Sequence, residues 1–86
     1  MANFATVEDV ENLWRVLKPT ERERAQNLLE TVSDSLRVEA NKVGKDLDAM
    51  VAESVSYANV AKSVTVDVVA RTLMTATDQE PMTQVT

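Results

Sequence analysis

The sequence predicts an all-α fold: a small bundle of about four helices, with a long, largely buried C-terminal helix followed by an extended C-terminal tail. Three observations lead to this prediction. Apolar residues recur at steps of three and four along most of the 86 residues. Helix-capping residues precede several of these apolar runs. The longest run, from Ser56 to Thr77, contains neither glycine nor proline.

The C-terminal helix is predicted over residues 56–77. Its polar residues form a narrow stripe in which Asp67 and Arg71 have the spacing of a helical ion pair. A helix that is apolar nearly all round is normally enclosed by other helices, so we expect this one to be largely buried. A β-strand is the alternative, because valines alternate with polar residues from Val64 to Val68 and β-branched residues favour sheets. The run is much longer than a typical strand of about 5 to 6 residues, which favours the helix.

Three helices are predicted before it, and a proline separates the first two. Thr6 can cap a first helix that runs to about Leu17, with Asp9 reaching back to the cap. Lys18-Pro19-Thr20 ends this helix, since the residue before proline is disfavoured in a helix. The capping box Thr20-Glu21-Arg22-Glu23 then begins the second helix.

Gly44 is the expected C-terminal stop of the second helix. Asp46 can cap a short third helix through about Glu53, and Ser54 to Ser56 is predicted to be a turn. Residues 1–77 therefore form one helical domain, and residues 78–86 form the tail. Trp14 is expected to anchor the first helix in a core shared by all four helices. The predicted core residues are Val10, Trp14, Leu17, Leu28, Leu29, Val32, Leu36, Leu47, Val60, Val64, Val68 and Leu73.

Composition excludes several classes of function. The net charge of -5 gives no electrostatic reason to bind nucleic acid or an anionic membrane. The chain has no histidine and no cysteine, which removes the usual general base, thiol nucleophile and zinc ligands. Asp46 and Asp48 form a D-x-D pattern, but the rest of a calcium loop is missing and helix capping explains them. We therefore expect no catalytic activity, no cofactor and no bound metal.

Charged residues on the outer face of the second helix are candidates for contact with a neighbouring subunit, although plain solvation also explains a mixed-sign surface. The tail is the other candidate. The interface residues predicted in this way are Arg22, Arg24, Glu30, Asp34, Arg37, Asp78, Glu80, Pro81 and Met82.

The start of the chain resembles a known family. Phe4-Ala5-Thr6-Val7-Glu8-Asp9-Val10, followed by Leu13-Trp14-Arg15 and Leu17, is similar to the first helix of small bacteriophage head-tail connector proteins, also called head-completion or adaptor proteins. Similar motifs follow in the same order and at similar spacing, and the resemblance covers about residues 4 to 85. These motifs are Arg24-Ala25, Leu28-Leu29, Ser33, Leu36-Arg37, Asp46-Leu47-Asp48 and Val69-Ala70-Arg71.

This resemblance implies a structural virion component that is made in the host cytoplasm and lies at the head-tail junction. Such proteins form a homo-oligomeric ring, commonly a dodecamer, below the portal protein. The ring extends the DNA channel and presents a docking surface for a stopper or tail-completion protein. DNA passes through it without sequence-specific binding, and no membrane is involved. An acidic chain suits such a channel, because phosphate repulsion keeps the wall non-adhesive.

Two other classes of function fit the sequence. A small cytosolic helical adaptor or regulatory protein-binding module would have the same acidic, capped-helix sequence. A carboxylate-dependent hydrolase would need Asp46, Asp48, Asp67 and Asp78 to converge in a pocket. Association with virus particles separates the connector from the cytosolic adaptor.

Overall fold

A computed structural model describes the backbone of residues 2–79 and the side chains of residues 2–75. The described residues contain four helices and no strand: α1 (Val7–Leu13), α2 (Pro19–Lys42), α3 (Leu47–Glu53) and α4 (Val55–Gln79). This confirms the predicted all-α fold. The valine-rich run from Val64 to Val68, for which a β-strand was the alternative, is helical.

The first helix begins as predicted but ends early. Asp9 N donates to Thr6 Oγ1 at 3.1 Å, and Thr6 N donates to Asp9 Oδ2 at 2.9 Å, which completes a reciprocal capping box. The prediction that α1 reaches Leu17 is wrong, since the helix stops at Leu13. The Leu17 amide instead donates to the Glu11 carboxylate at 3.0 Å, and this contact turns the chain toward α2.

The second helix starts at Pro19, two residues earlier than a Thr20 cap predicts. Pro19 occupies the first turn, where its missing N–H costs nothing and its fixed φ suits the helix. Glu21 Oε1 accepts from Lys18 N at 2.9 Å, so the carboxylate satisfies the backbone just before the helix. Thr20 therefore lies inside α2 and is not its cap.

Gly44 ends α2 as predicted. Its φ of 76° lies in the left-handed region, which favours glycine. Gly44 N donates to Asn41 O at 3.0 Å and Lys45 N donates to Ala40 O at 2.9 Å. These two hydrogen bonds form a Schellman motif, which satisfies carbonyls at the end of the helix.

The predicted turn between α3 and α4 shrinks to Ser54. Asp46 caps α3 as expected, accepting from Ala49 N at 3.2 Å. Ser54 ends α3 and also accepts from Tyr57 N at 3.4 Å, so α4 begins at the next residue. The fourth helix is longer than predicted at both ends. It begins at Val55, one residue before the predicted start at Ser56, and extends to Gln79, past the predicted end at Thr77. The rest of the predicted tail, residues 80–86, lies outside the described residues.

α4 contacts α1, α2 and α3, and α2 likewise contacts each of the other three helices. α2 and α4 run antiparallel. Leu36, late in α2, lies beside Val60, early in α4, whereas Arg24, early in α2, lies near Thr75, late in α4. The tryptophan predicted as an anchor, Trp14, packs partly buried against the core. The core cluster consists of Ala5, Val7, Val10, Leu17, Ala25, Leu29, Val32, Val66, Val69 and Leu73.

The core prediction is right for Val10 of α1, for two of the four residues of α2 and for Leu73, and it is wrong for one face of α4. Val60, Val64 and Val68 are 60%, 40% and 37% exposed. The helix turns its other apolar face inward, including Val69 and Leu73, so it is not enclosed on all sides within one chain. Of the remaining predicted core residues, Val10, Leu17, Leu29 and Val32 are buried, and Leu28, Leu36 and Leu47 are half-buried.

Candidate functional site

The charged residues predicted at a partner interface do not share one environment. Arg24, Glu30 and Asp34 are exposed on α2. Arg22 is instead held within the chain, where its guanidinium binds the Glu11 carboxylate of α1 at 2.7 Å. The side chains that remain available to a partner are therefore fewer than the sequence suggests. Of the predicted tail residues, Asp78 lies on α4, and Glu80, Pro81 and Met82 lie outside the described residues.

The prediction that Arg37 is an exposed interface charge is wrong, because this residue is only 9% exposed. Its Nε donates to Asp48 Oδ2 of α3 at 2.9 Å, and Nη1 donates to Asp34 Oδ1 at 2.8 Å. Nη2 donates to the carbonyl of Ala2, and the guanidinium lies 4.6 Å from the centre of the Phe4 ring. Arg37 thus ties the N-terminal segment and α3 to α2, which is a structural role.

One exposed apolar surface of the chain is not used by the core. It lies where the C-terminal half of α2, α3 and the N-terminal half of α4 meet. Within it is a shallow apolar depression of about 170 Å³, in which Tyr57, Val60 and Val64 meet Leu36 and Leu47. We define the α4 apolar surface as Leu36, Leu47, Tyr57, Val60, Val64 and Val68.

The sequence contains the signal for this surface but does not assign it. Tyr57, Val60, Val64 and Val68 follow one another at steps of three and four, which places them on one stripe of α4. A second apolar stripe of similar length lies on the same helix, and only one of the two fits against α1 and α2. The helix therefore carries more apolar surface than it buries against the other helices of this small bundle.

The chain segment between α1 and α2 is a second exposed apolar feature. We define the α1–α2 corner as residues 13–18. Leu13 and Val16 project from it and are 58% and 79% exposed. Leu13 is the last residue of α1, and its side chain is not part of the core cluster.

Ion pairs and backbone hydrogen bonds hold the α1–α2 corner in place. Arg15 binds the Glu21 carboxylate through both terminal nitrogens, each at 3.0 Å, and also donates to Val16 O at 3.1 Å. The same guanidinium lies 4.1 Å from the centre of the Trp14 ring. The hydrogen bonds from Arg15 and from the Lys18 amide lower the pKa of Glu21 to about 2. That carboxylate is therefore ionised over the whole physiological range.

Glu11 has a similar role on the other side of the corner. The hydrogen bond from the Leu17 amide, and then that from Arg22, lowers the pKa of Glu11 below its ordinary value. Two carboxylates, one from α1 and one from α2, thus fix the path of the chain between the helices. Their chemistry is that of structural acceptors.

Three of the four aspartates considered for catalysis or metal binding lie in separate structural contacts, and the side chain of the fourth, Asp78, is outside the described part of the structure. Asp46 caps α3, Asp48 binds Arg37, and Asp67 binds Arg71 at 3.1 Å. Within residues 2–79, no group of three or more potential ligands is placed to hold a metal ion. No helix in the described part of the chain combines the length and the apolar character needed to cross a membrane.

Comparison with known proteins identifies the family. The family described as phage protein Gp19/Gp15/Gp42 matches residues 13–86, which is more than half of the chain. No curated protein and no solved structure matches the chain. The match begins at the α1–α2 corner and includes α2, α3 and α4, the helices that form the α4 apolar surface. The chain therefore belongs to the phage protein Gp19/Gp15/Gp42 family.

Proposed function

We propose that this phage protein is a structural head-tail connector. It assembles into a ring below the portal protein, extends the DNA channel, and provides the docking surface for a stopper or tail-completion protein. The observation that carries the proposal is the α4 apolar surface, which is exposed in a single chain of a phage protein. The resemblance of residues 4 to 17 to connector proteins supports the same role.

An exposed apolar surface of this kind indicates association with another protein. Contiguous apolar patches on a soluble chain mark interaction sites, and valine and tyrosine side chains lose unfavourable hydration when a partner covers them. At 86 residues, the chain buries a smaller share of its surface than larger domains do. Burial of the α4 apolar surface between subunits would add to the stability of each one.

The charges fit a role in which contacts are made with proteins and DNA only passes by. The net charge of -5 opposes adhesion to a polyphosphate. Several of the arginines are committed to carboxylates of the same chain, including Arg15, Arg22, Arg37 and Arg71. A DNA-binding protein instead presents a basic surface to the phosphates. Assembly, not catalysis, is the function that this arrangement supports.

The proposal is tested by locating the protein in the virus particle. Mass spectrometry of purified particles and electron microscopy of the particle neck should find the protein at the head-tail junction. Light scattering of the purified protein, with and without portal protein, should show a larger complex when portal is present. A protein that is absent from particles and bound to a cytosolic protein would overturn the proposal in favour of a cytosolic adaptor.

A matched pair of variants connects that test to the structure. Val64→Asp places a charge in the α4 apolar surface, and Val38→Asp places one on the outer face of α2, where the side chain is 53% exposed. Both variants should fold, which circular dichroism can verify. We expect Val64→Asp to lose incorporation into particles and Val38→Asp to keep it. Equal incorporation of the two variants would show that the α4 apolar surface is not used in assembly.

A further inference from the structure

The α1–α2 corner and the α4 apolar surface lie at opposite ends of α2. Glu21, which holds the corner, and Leu36, which lines the apolar depression, both belong to this helix. Fifteen residues separate them along a helix that rises 1.5 Å per residue, so they are about 22 Å apart. A contact between the two surfaces must therefore join different copies of the chain.

The corner offers exposed apolar side chains, and the α4 apolar surface offers an apolar depression. The corner is a projection, because Leu13 and Val16 stand out from the chain. The α4 apolar surface contains a depression, formed where Tyr57 and Val60 meet Leu47. An apolar projection that enters an apolar depression removes both from water.

The corner is also held rigidly before any partner arrives. The bidentate contact of Arg15 with Glu21 and the hydrogen bond from Leu17 N to Glu11 fix the backbone on both sides of Val16. A rigid segment loses little conformational entropy on binding, so more of its contact energy contributes to affinity.

Charge favours the same pairing. Of the charges that no ion pair within the described chain neutralises, residues 13–24 keep Lys18, Arg24 and Glu23, for a net charge of +1. Residues 46–68, which span the α3 and α4 part of the α4 apolar surface, keep Asp46, Glu53 and Lys62, for a net charge of -1. A head-to-tail contact brings these two segments together. A symmetric contact between two α4 apolar surfaces would instead place two segments of the same net negative charge against each other, which is unfavourable.

We infer that the α1–α2 corner of one copy docks in the α4 apolar surface of the next copy, with Leu13 and Val16 covering Tyr57, Val60 and Val64. This contact joins two different surfaces, so it leaves a free surface at each end of a pair. Such a contact generates a closed ring when the rotation between copies closes, and a filament otherwise. The inference rests on the proposed function in that it assigns the subunit contact of the connector ring.

Cysteine cross-linking tests this contact directly, because the natural chain contains no cysteine. The double variant Val16→Cys/Val60→Cys should give a ladder of covalent oligomers under oxidising conditions, which a reductant should collapse to monomer. The single variants Val16→Cys and Val60→Cys should remain mostly monomeric. Val38→Cys/Val60→Cys is the matched control, since Val38 is also exposed but lies outside both surfaces, and it should give no ladder.

The experiment is carried out both on purified particles and on the concentrated free protein. A ladder from the double variant alone, in either setting, supports the inference. Absence of the ladder in both settings, or dimers from Val60→Cys alone at the same yield, overturns it in favour of another interface or of the symmetric contact. One outcome would refute the proposed function and leave the inferred contact intact. In that outcome the free double variant forms the ladder, but the protein is missing from purified particles.

Discussion

Arg37 on α2 and Asp48 on α3 are joined by a bifurcated hydrogen bond, in which Arg37 Nε donates to Asp48 Oδ2 at 2.9 Å and to Oδ1 at 3.1 Å. The same guanidinium also binds Asp34 and the carbonyl of Ala2. Three separate segments thus converge on one side chain. Because α3 is short and has no fully buried residue, this contact and α3's packing on α4 determine where it lies.

Arg37→Met should destabilise the protein by about 2 kcal/mol, since hydrogen bonds to charged groups contribute about 1.5 to 3 kcal/mol each and the released carboxylates regain water. Arg37→Lys should recover only part of the loss, because an ammonium group lacks the planar geometry that reaches several acceptors at once. Urea unfolding measures both variants. Arg24→Met is the control, and this exposed site should change stability by less than about 0.5 kcal/mol. An equal effect at both sites would contradict a structural role for Arg37.

Leu29→Ala should cost about 2 to 5 kcal/mol, the usual range for emptying a buried leucine site. Leu29 is fully buried in the centre of α2, at the core cluster. Thermal or urea unfolding of the variant gives the loss. Val38→Ala, at an exposed position of the same helix, should change stability by less than about 1 kcal/mol. A loss well below 1 kcal/mol for Leu29→Ala would mean that α2 presents a different face to the core.

Thr65→Val should leave stability within about 1 kcal/mol of the natural chain. Thr65 is fully buried, and its hydroxyl donates to Ala61 O, one turn earlier in α4, at 2.7 Å. Valine has nearly the same shape and removes the hydroxyl, while that carbonyl can keep its helical hydrogen bond, so no buried polar group is left unpaired. Thr65→Asp should prevent folding or cost several kcal/mol, because a carboxylate would be buried without a counter-ion. Unfolding curves distinguish the two.

Local signals along the chain determine most of this fold. The Thr6 capping box, the Gly44 stop and the Asp46 cap each depend on residues only a few positions apart. Such contacts can be predicted from spacing alone. The end of α1 could not be predicted in this way. It depends on a carboxylate that reaches across the turn to a backbone amide, as the Glu11 carboxylate does to Leu17 N.

The inward face of α4 could not be predicted from the sequence. Both of its apolar stripes satisfy the helical period, and only packing against α1 and α2 selects the one with Val69 and Leu73. The buried position of Arg37 was missed for a related reason. Its partners lie in two other segments, at Ala2 and Asp48, and no spacing along the chain brings them together. Candidate interface residues are the hardest to assign, since they depend on which apolar surface is left over.

The Arg15–Glu21 pair should make stability depend on pH in the acid range. The pKa of Glu21 falls from an ordinary 4.5 to about 2 in the folded chain, chiefly through its hydrogen bonds with Arg15. A carboxyl group with a lowered pKa contributes its stability fully above pH 4.5, and that contribution is lost as the pH falls toward 2. The melting temperature should therefore fall over this window, and the lowered pKa of Glu11 should add to the same trend.

Glu21→Gln should melt lower at pH 7 and show a smaller decrease between pH 4.5 and 2, because glutamine does not titrate. Glu30→Gln, at an exposed site of α2, should keep the full decrease. A Glu21→Gln variant with the same acid-induced decrease as the natural chain would show that the pair does not set this pH dependence.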